Sequence, residues 1–158
     1  MKVEEDLCII TQIALEKEAE NKSFSAYLGE QEVAEIDAIV QRLDALITPQ
    51  VSCTDCGNCC RNMRPIASYK EMSPFVRDED YEAFKYLKGF ACKHLVDSKC
   101  TIYLQRPDVC RDFPYMDRPD FTTRTVGVFQ NYEICPIVFN IVEQLKLELN
   151  WKPDSPSA

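Results

Sequence analysis

The stretch CTDCGNCC at 53–60 places four cysteines in eight positions. Four more follow at Cys92, Cys100, Cys110 and Cys135, and a ninth, Cys8, stands far upstream. Thiols this dense constrain a fold more than any apolar pattern does. They end as disulfides, metal ligands, nucleophiles or small buried groups, and each outcome asks for a different chain around it. An odd total fits a fully paired disulfide scaffold badly. The N-terminus, MKVEEDLCII, is acidic where a secretory leader would be basic, and no apolar run approaches the roughly 20 residues that span a bilayer. The expectation is a cytoplasmic chain with no membrane association. In a reducing compartment its cysteines read as metal ligands.

The spacing sharpens that reading. In Cys53-x2-Cys56 two thiolates reach one metal from a tight turn, and Gly57 supplies backbone freedom just after it. Four thiolates complete one tetrahedral zinc site or hold one [4Fe-4S] cluster. Eight thiolates, Cys53, Cys56, Cys59, Cys60, Cys92, Cys100, Cys110 and Cys135, therefore suit one or two sites for zinc or an iron-sulfur cluster. Adjacent side chains such as Cys59 and Cys60 diverge, which favours two sites. The partition this suggests is Cys53, Cys56, Cys59 and Cys135 for one, and Cys60, Cys92, Cys100 and Cys110 for the other. The run Cys53-x2-Cys56-x2-Cys59 with a remote Cys135-Pro136 matches bacterial ferredoxins, but their x3 spacing to a fourth cysteine is absent. Zinc and iron-sulfur both stay open. His94 is the only histidine and is the alternative nitrogen ligand. Cys8, inside an apolar helical pattern, reads as a small buried residue.

Charge separates the middle of the chain from the rest. The net charge is −8; residues 1–52 hold 11 acids and 4 bases, whereas 53–118 hold 10 acids and 11 bases. Arg61, Arg64, Lys93, Lys99, Arg106 and Arg111 lie within a few residues of cysteines, where cations would offset thiolate charge. An acidic chain with no basic face is not expected to bind nucleic acid. A protein partner for the acidic N-terminal segment is left open. The four glycines, Gly29, Gly57, Gly89 and Gly127, are scattered and form no G-x-G loop for a nucleotide-like cofactor. Asp55, Asp108 and Asp112 stand near cysteines but suit turns and caps, so no catalytic residue is named.

Around this centre the pattern is mostly helical. Leu7, Ile10, Ile13 and Ala14 fit a helix within 5–20, and Val33, Ile36, Val40, Leu43 and Ile47 make an apolar stripe on a second. Gly29 breaks the chain between them and Pro49 ends the pair. A short strand is expected at 64–69, and a helix within 74–88, begun by Ser73-Pro74 and stopped by Gly89. Residues 90–104 suggest two short strands about a polar turn at 96–99. Arg106-Pro107 opens a turn or single helical turn ending near Phe113-Pro114. The β-branched residues of 122–129 suggest a strand. Pro136 opens a last helix that buries Val138, Ile141, Val142, Leu145 and Leu149. The fold class is α+β, mostly helical. Its expected organisation is an N-terminal helical hairpin at 1–50 packing on the core, a small irregular metal-binding domain at 51–150 that includes the C-terminal helix, and a flexible tail at 151–158.

CTDCGNCCR, the segment from Cys92 through CTIYLQRPDVCRDFP to Pro114, and Cys135-Pro136 together resemble the CxxCxxCC, or YkgJ-type, cysteine-cluster family. The likeness covers about 53–136, and all eight family cysteines find counterparts. It implies a zinc- or iron-chelating domain. Alternatives it brings are an iron-sulfur redox enzyme or accessory protein, and a protein lysine methylase, a label some members carry. The last fits worst, because no glycine loop for a methyl donor is present.

Overall fold

A computed structural model of the 158-residue chain describes residues 1–62, 69–82, 90–97 and 99–153. Its helices in chain order are α1 (Leu7–Glu16), α2 (Glu18–Leu28), α3 (Val33–Ile47), α4 (Cys53–Cys56), α5 (Asn58–Arg61), α6 (Tyr69–Met72), α7 (Asp108–Arg111), α8 (Thr125–Gln130) and α9 (Pro136–Glu148). One antiparallel pair, β1 (Leu95–Val96) and β2 (Lys99–Cys100), is the only sheet among the described residues. The fold is thus the mostly helical α+β class that the periodicity predicts. Backbone contacts divide the chain into two compact units, one of 1–51 with 112–158 and one of 52–111.

In the first unit, Asp6 starts α1 by accepting the N–H groups of Cys8 and Ile9 at 2.9 and 3.2 Å. The helix turns Ile10 fully inward, with Ile13 and Ala14 packed beside it. Cys8 lies off that stripe and is exposed, which corrects its reading as a buried residue. At about 100° per residue, a position two before Ile10 cannot share its face. Lys17 interrupts the helix for one residue, α2 continues it to Leu28, and Gly29 caps the end. Ile36, Val40, Leu43 and Ile47 of α3 are buried, as their spacing requires. Thr48–Gln50, with Pro49, closes α3 as a 3-10 turn.

Helix α9 packs along α3 and against α1. It buries Val138, Ile141, Val142 and Leu145 as expected, and also Ile137, Phe139 and Asn140, because neighbours flank it on more than one side. Each fully buried aliphatic side chain contributes about 1.5–3 kcal/mol relative to exposure. Asn140 is satisfied at both ends of its amide: it accepts from Glu4 N at 2.9 Å and donates to the carbonyls of Glu4 and Pro136 at 2.8 and 2.7 Å. Lys146, also buried, donates to Asn21, Glu143 and Glu20 at 2.6, 2.9 and 3.0 Å. Trp151 packs on Phe24 with ring centroids 4.9 Å apart.

The strand expected at 122–129 is instead a 3-10 turn, Phe121–Thr123, followed by α8. The reason is tertiary. Phe121, Thr125, Val128 and Tyr132 recur every three or four residues and are all buried, so a helical backbone hides them together. The Asp37 carboxylate anchors the entry by accepting from the backbone N–H groups of Asp120 and Phe121, each at 2.9 Å.

The second unit has a small apolar cluster, Met72, Phe75, Val76, Phe90 and Cys92, against which Cys60 and Cys110 pack. The expected hairpin within 90–104 forms, pairing Leu95 with Cys100 and Val96 with Lys99, and Asp97 takes φ 48° in its turn. The strand expected at 64–69 lies outside the described residues as far as 68, and Tyr69 opens α6. Of the helix expected within 74–88, the described part is two 3-10 turns, Ser73–Phe75 and Asp78–Asp80, with helical backbone at 81–82; residues 83–88 lie outside the description. Pro74 does open the first turn, but Ser73 donates to the Lys70 carbonyl at 3.0 Å and is not its N-cap.

Candidate metal centre

Four of the thiols sit on two single-turn helices joined through Gly57. Its φ of 57° is left-handed, a conformation glycine adopts without a Cβ penalty. That residue ends α4, with its N–H on the Cys53 carbonyl at 3.1 Å, and lets α5 start at once. Arg61 Nη2 reaches back to the Cys56 carbonyl at 2.8 Å and ties the two turns together.

The downstream cysteines are brought to this loop by the backbone. Cys92 N–H donates to the Cys60 carbonyl at 2.7 Å, and Lys93 N–H to the Phe75 carbonyl at 3.0 Å. Cys92 Sγ accepts from the His94 backbone N–H at 3.5 Å. The His94 ring places Nε2 2.9 Å from the Pro74 carbonyl, and Thr101 N–H donates to the His94 carbonyl at 2.8 Å, so His94 clamps the hairpin. The hairpin returns Cys100 beside Leu95, and β2 packs against α4. Cys110 lies in α7, its N–H on the Pro107 carbonyl at 3.0 Å. Seven of the eight candidate ligands therefore share residues 52–111. Cys135 belongs to the first unit, where it is buried in the apolar core at the head of α9.

Electrostatics record how near the thiols are to one another. Burial, then Cys92, Cys60 and Cys100, pushes the Cys110 thiol up to about 11, against Arg106. Burial also raises Cys92, opposed by the His94 N–H, while Cys60 and Cys100 add to the rise and Arg77 offsets it. Cys53 is raised by partial desolvation of its sulfur and then by Cys56. Cys60 goes the other way, lowered to about 7: its hydrogen bond with the Cys59 side chain outweighs burial, and Arg106 and Arg61 assist.

Of the expected cations, Arg61 and Arg106 act on the thiols. Arg106 is held by the Tyr103 carbonyl at 3.0 Å, with its guanidinium 3.9 Å above the Tyr103 ring. Lys93 and Lys99 are exposed, Arg111 pairs with Asp108, and Arg64 lies outside the described residues. Arg77 was not expected. It stands 15 positions before Cys92, and only the fold brings it there. Asp55 accepts from Ser52 Oγ at 2.8 Å, and Asp112 pairs with Arg118 at 3.3 Å, so each nearby carboxylate has a structural partner.

None of the nine cysteines is joined in a disulfide. Among the described residues no three His, Cys, Asp or Glu side chains stand at a spacing that would hold a metal ion. The thiols of 52–111 are neighbours in charge without being a closed ligand set. The donors themselves fit zinc or iron: they are soft sulfurs beside cations and N–H groups, with the nearby carboxylates engaged elsewhere.

Seven thiols carried on the short helices and the hairpin of 52–111 define a cysteine-cluster domain. The chain belongs to the CxxCxxCC family, whose model, described as "Putative zinc- or iron-chelating domain", matches residues 52–136. That span is more than half of the chain. No curated protein and no solved structure matches it. No described helix is long and apolar enough to cross a membrane.

Proposed function

We propose that this protein binds zinc or iron through cysteine thiolates, and that Cys53, Cys56, Cys59, Cys60, Cys92, Cys100 and Cys110 of the 52–111 unit are the principal ligands, with Cys135 the eighth candidate. The observation that carries this reading is the Cys92–Cys60 backbone bond of 2.7 Å, which brings cysteines 32 positions apart into one small apolar cluster. Thiolates are the metal-binding form, so binding releases protons and draws the loops together. Metal affinity then becomes folding energy for a unit whose apolar cluster is small. Arg61, Arg77 and Arg106 offset the charge of the thiolates, and the Gly57 turn aims two cysteine pairs from one loop. Thiols at this density with no disulfide among them suit a reducing, cytoplasmic compartment.

The test is metal analysis and a visible spectrum on full-length protein purified without oxygen. Stoichiometric zinc in a colourless protein supports a thiolate ion site. Iron with sulfide in a brown protein supports a cluster. Metal-free protein that takes up neither on reconstitution overturns the proposal.

A further inference from the structure

The helical unit closes its core without any residue of 52–111. All nineteen buried residues of its apolar core belong to 1–51 or 112–158. The chain leaves this core at Val51 and rejoins it at Met116, both buried. Between the two stretches, α3 meets α9 and the Phe121–Thr123 turn, and α2 meets α8. Asp37 holds the backbone of Asp120 and Phe121, and Lys146 of α9 holds Glu20 and Asn21 of α2. The ends of a long loop cost little more to hold together than those of a short one, so these contacts ask for no order in between.

The 52–111 unit is built differently. Helices α1, α2, α3 and α9 run for 10, 11, 15 and 13 residues, whereas α4, α5, α6 and α7 have four residues each. The hairpin pairs two residues with two, and the apolar cluster among the described residues has five buried members. Single-turn helices and a lone two-stranded hairpin are marginal in water. A unit of 60 residues built from them, with no disulfide, relies on another cross-link. Its seven cysteines, spread over separate short elements, can supply one through bound metal.

We propose, resting on the metal-binding reading above, that 52–111 is a metal-conditional insertion: metal switches this unit between open and ordered, while the helical unit of 1–51 with 112–158 stays folded in both states. Each ligating thiol gives its proton to solvent as its metal–sulfur bond forms, and no electron is transferred.

The test is amide hydrogen exchange, read by mass spectrometry, on the full chain kept without oxygen, first chelator-stripped and then loaded with zinc(II), with uptake measured by elemental analysis. At free zinc about 100 times its dissociation constant, exchange across the described segments of 52–111 should slow by about 100-fold. Exchange in α1, α3 and α9 should keep its rate. Ile141→Val removes one methyl from the fully buried helical core, and should speed exchange in α3 and α9 while leaving the zinc-dependent gain in 52–111 as it was. Zinc uptake with 52–111 equally protected in both states, loss of protection in α3 and α9 on chelation, or an Ile141→Val variant that loses the zinc-dependent gain overturns the inference and leaves thiolate metal binding intact. No uptake of zinc, or of iron with sulfide, overturns both.

Discussion

The backbone N–H of Cys92 donates to the carbonyl of Cys60 at 2.7 Å, and this bond fastens the hairpin that carries Cys100 to the loop that carries four other thiols. Buried Cys92 is thus both a ligand candidate and part of the small apolar cluster with Met72, Phe75, Val76 and Phe90. Cys8, exposed on α1, has neither role. Cys92→Ser is expected to lower metal content by at least one ligand set's worth and to reduce the Tm of the metal-loaded protein. Cys8→Ser is expected to change neither. Elemental analysis with thermal melts checks this, and equal losses from the two variants would contradict it.

Thiol reactivity after chelation should rank the cluster. At pH 7, Cys60 at about 7 is half ionised, while Cys110 at about 11 is almost wholly protonated. The thiolate fractions differ by roughly 10⁴, and the weaker nucleophilicity of the more acidic thiol trims the rate ratio to about 100-fold. Timed alkylation read by peptide mass spectrometry should find Cys60 modified first. Raising the pH should erase the difference near about pH 9 and reverse it towards pH 11, where the more basic Cys110 thiolate is the stronger nucleophile.

Lys146 is nearly excluded from solvent, with its side chain 6% exposed, and holds Glu143, Glu20 and Asn21. Lys146→Ala takes one charged partner from the partly buried Glu143 and Glu20 carboxylates and is expected to cost about 2–3 kcal/mol. Urea unfolding measures this. A loss below about 1 kcal/mol would mean that Lys17, 2.5 Å from Glu143, suffices alone.

Burial alone would raise the Glu143 carboxyl, but hydrogen bonds from Lys17, Lys146 and Tyr132 hold it below its ordinary value. A depressed carboxyl contributes stability that is present above its unfolded pKa, about 4.3, and is lost as pH falls through the folded value. Glu143→Gln is therefore expected to destabilise the protein at pH 7 and to flatten the acid limb of its stability curve. Unfolding free energies across that range check the sign.

Asp37 accepts two backbone N–H groups at the entry to the Phe121 turn. Asp37→Ala leaves the half-buried one without its acceptor, at a cost of about 1–3 kcal/mol. Hydrogen exchange should then speed at Phe121 before it does in α9.

The helices were legible where burial is one-sided and local. Ile36, Val40, Leu43 and Ile47 declare α3 by spacing alone, and Pro136 announces α9. The 122–129 segment misled because β-branched residues carry only a weak preference, which the burial of Phe121, Thr125, Val128 and Tyr132 overrode. Cys8 misled because a cysteine is apolar enough to be buried but small enough to be left exposed at little cost. Arg77 carried no local signal at all.

The sequence by itself determined the chemistry: eight cysteines with x2 spacings, cations among them and a glycine at the one turn that needs it. It did so because ligand type and local turn geometry are properties of short segments. Only the tertiary structure decided which thiols meet. It tied Cys60 of the Gly57 turns to Cys92 of the hairpin and seated Cys135 in the apolar core of the other unit. Those outcomes depend on contacts between residues tens of positions apart, which spacing along the chain cannot encode.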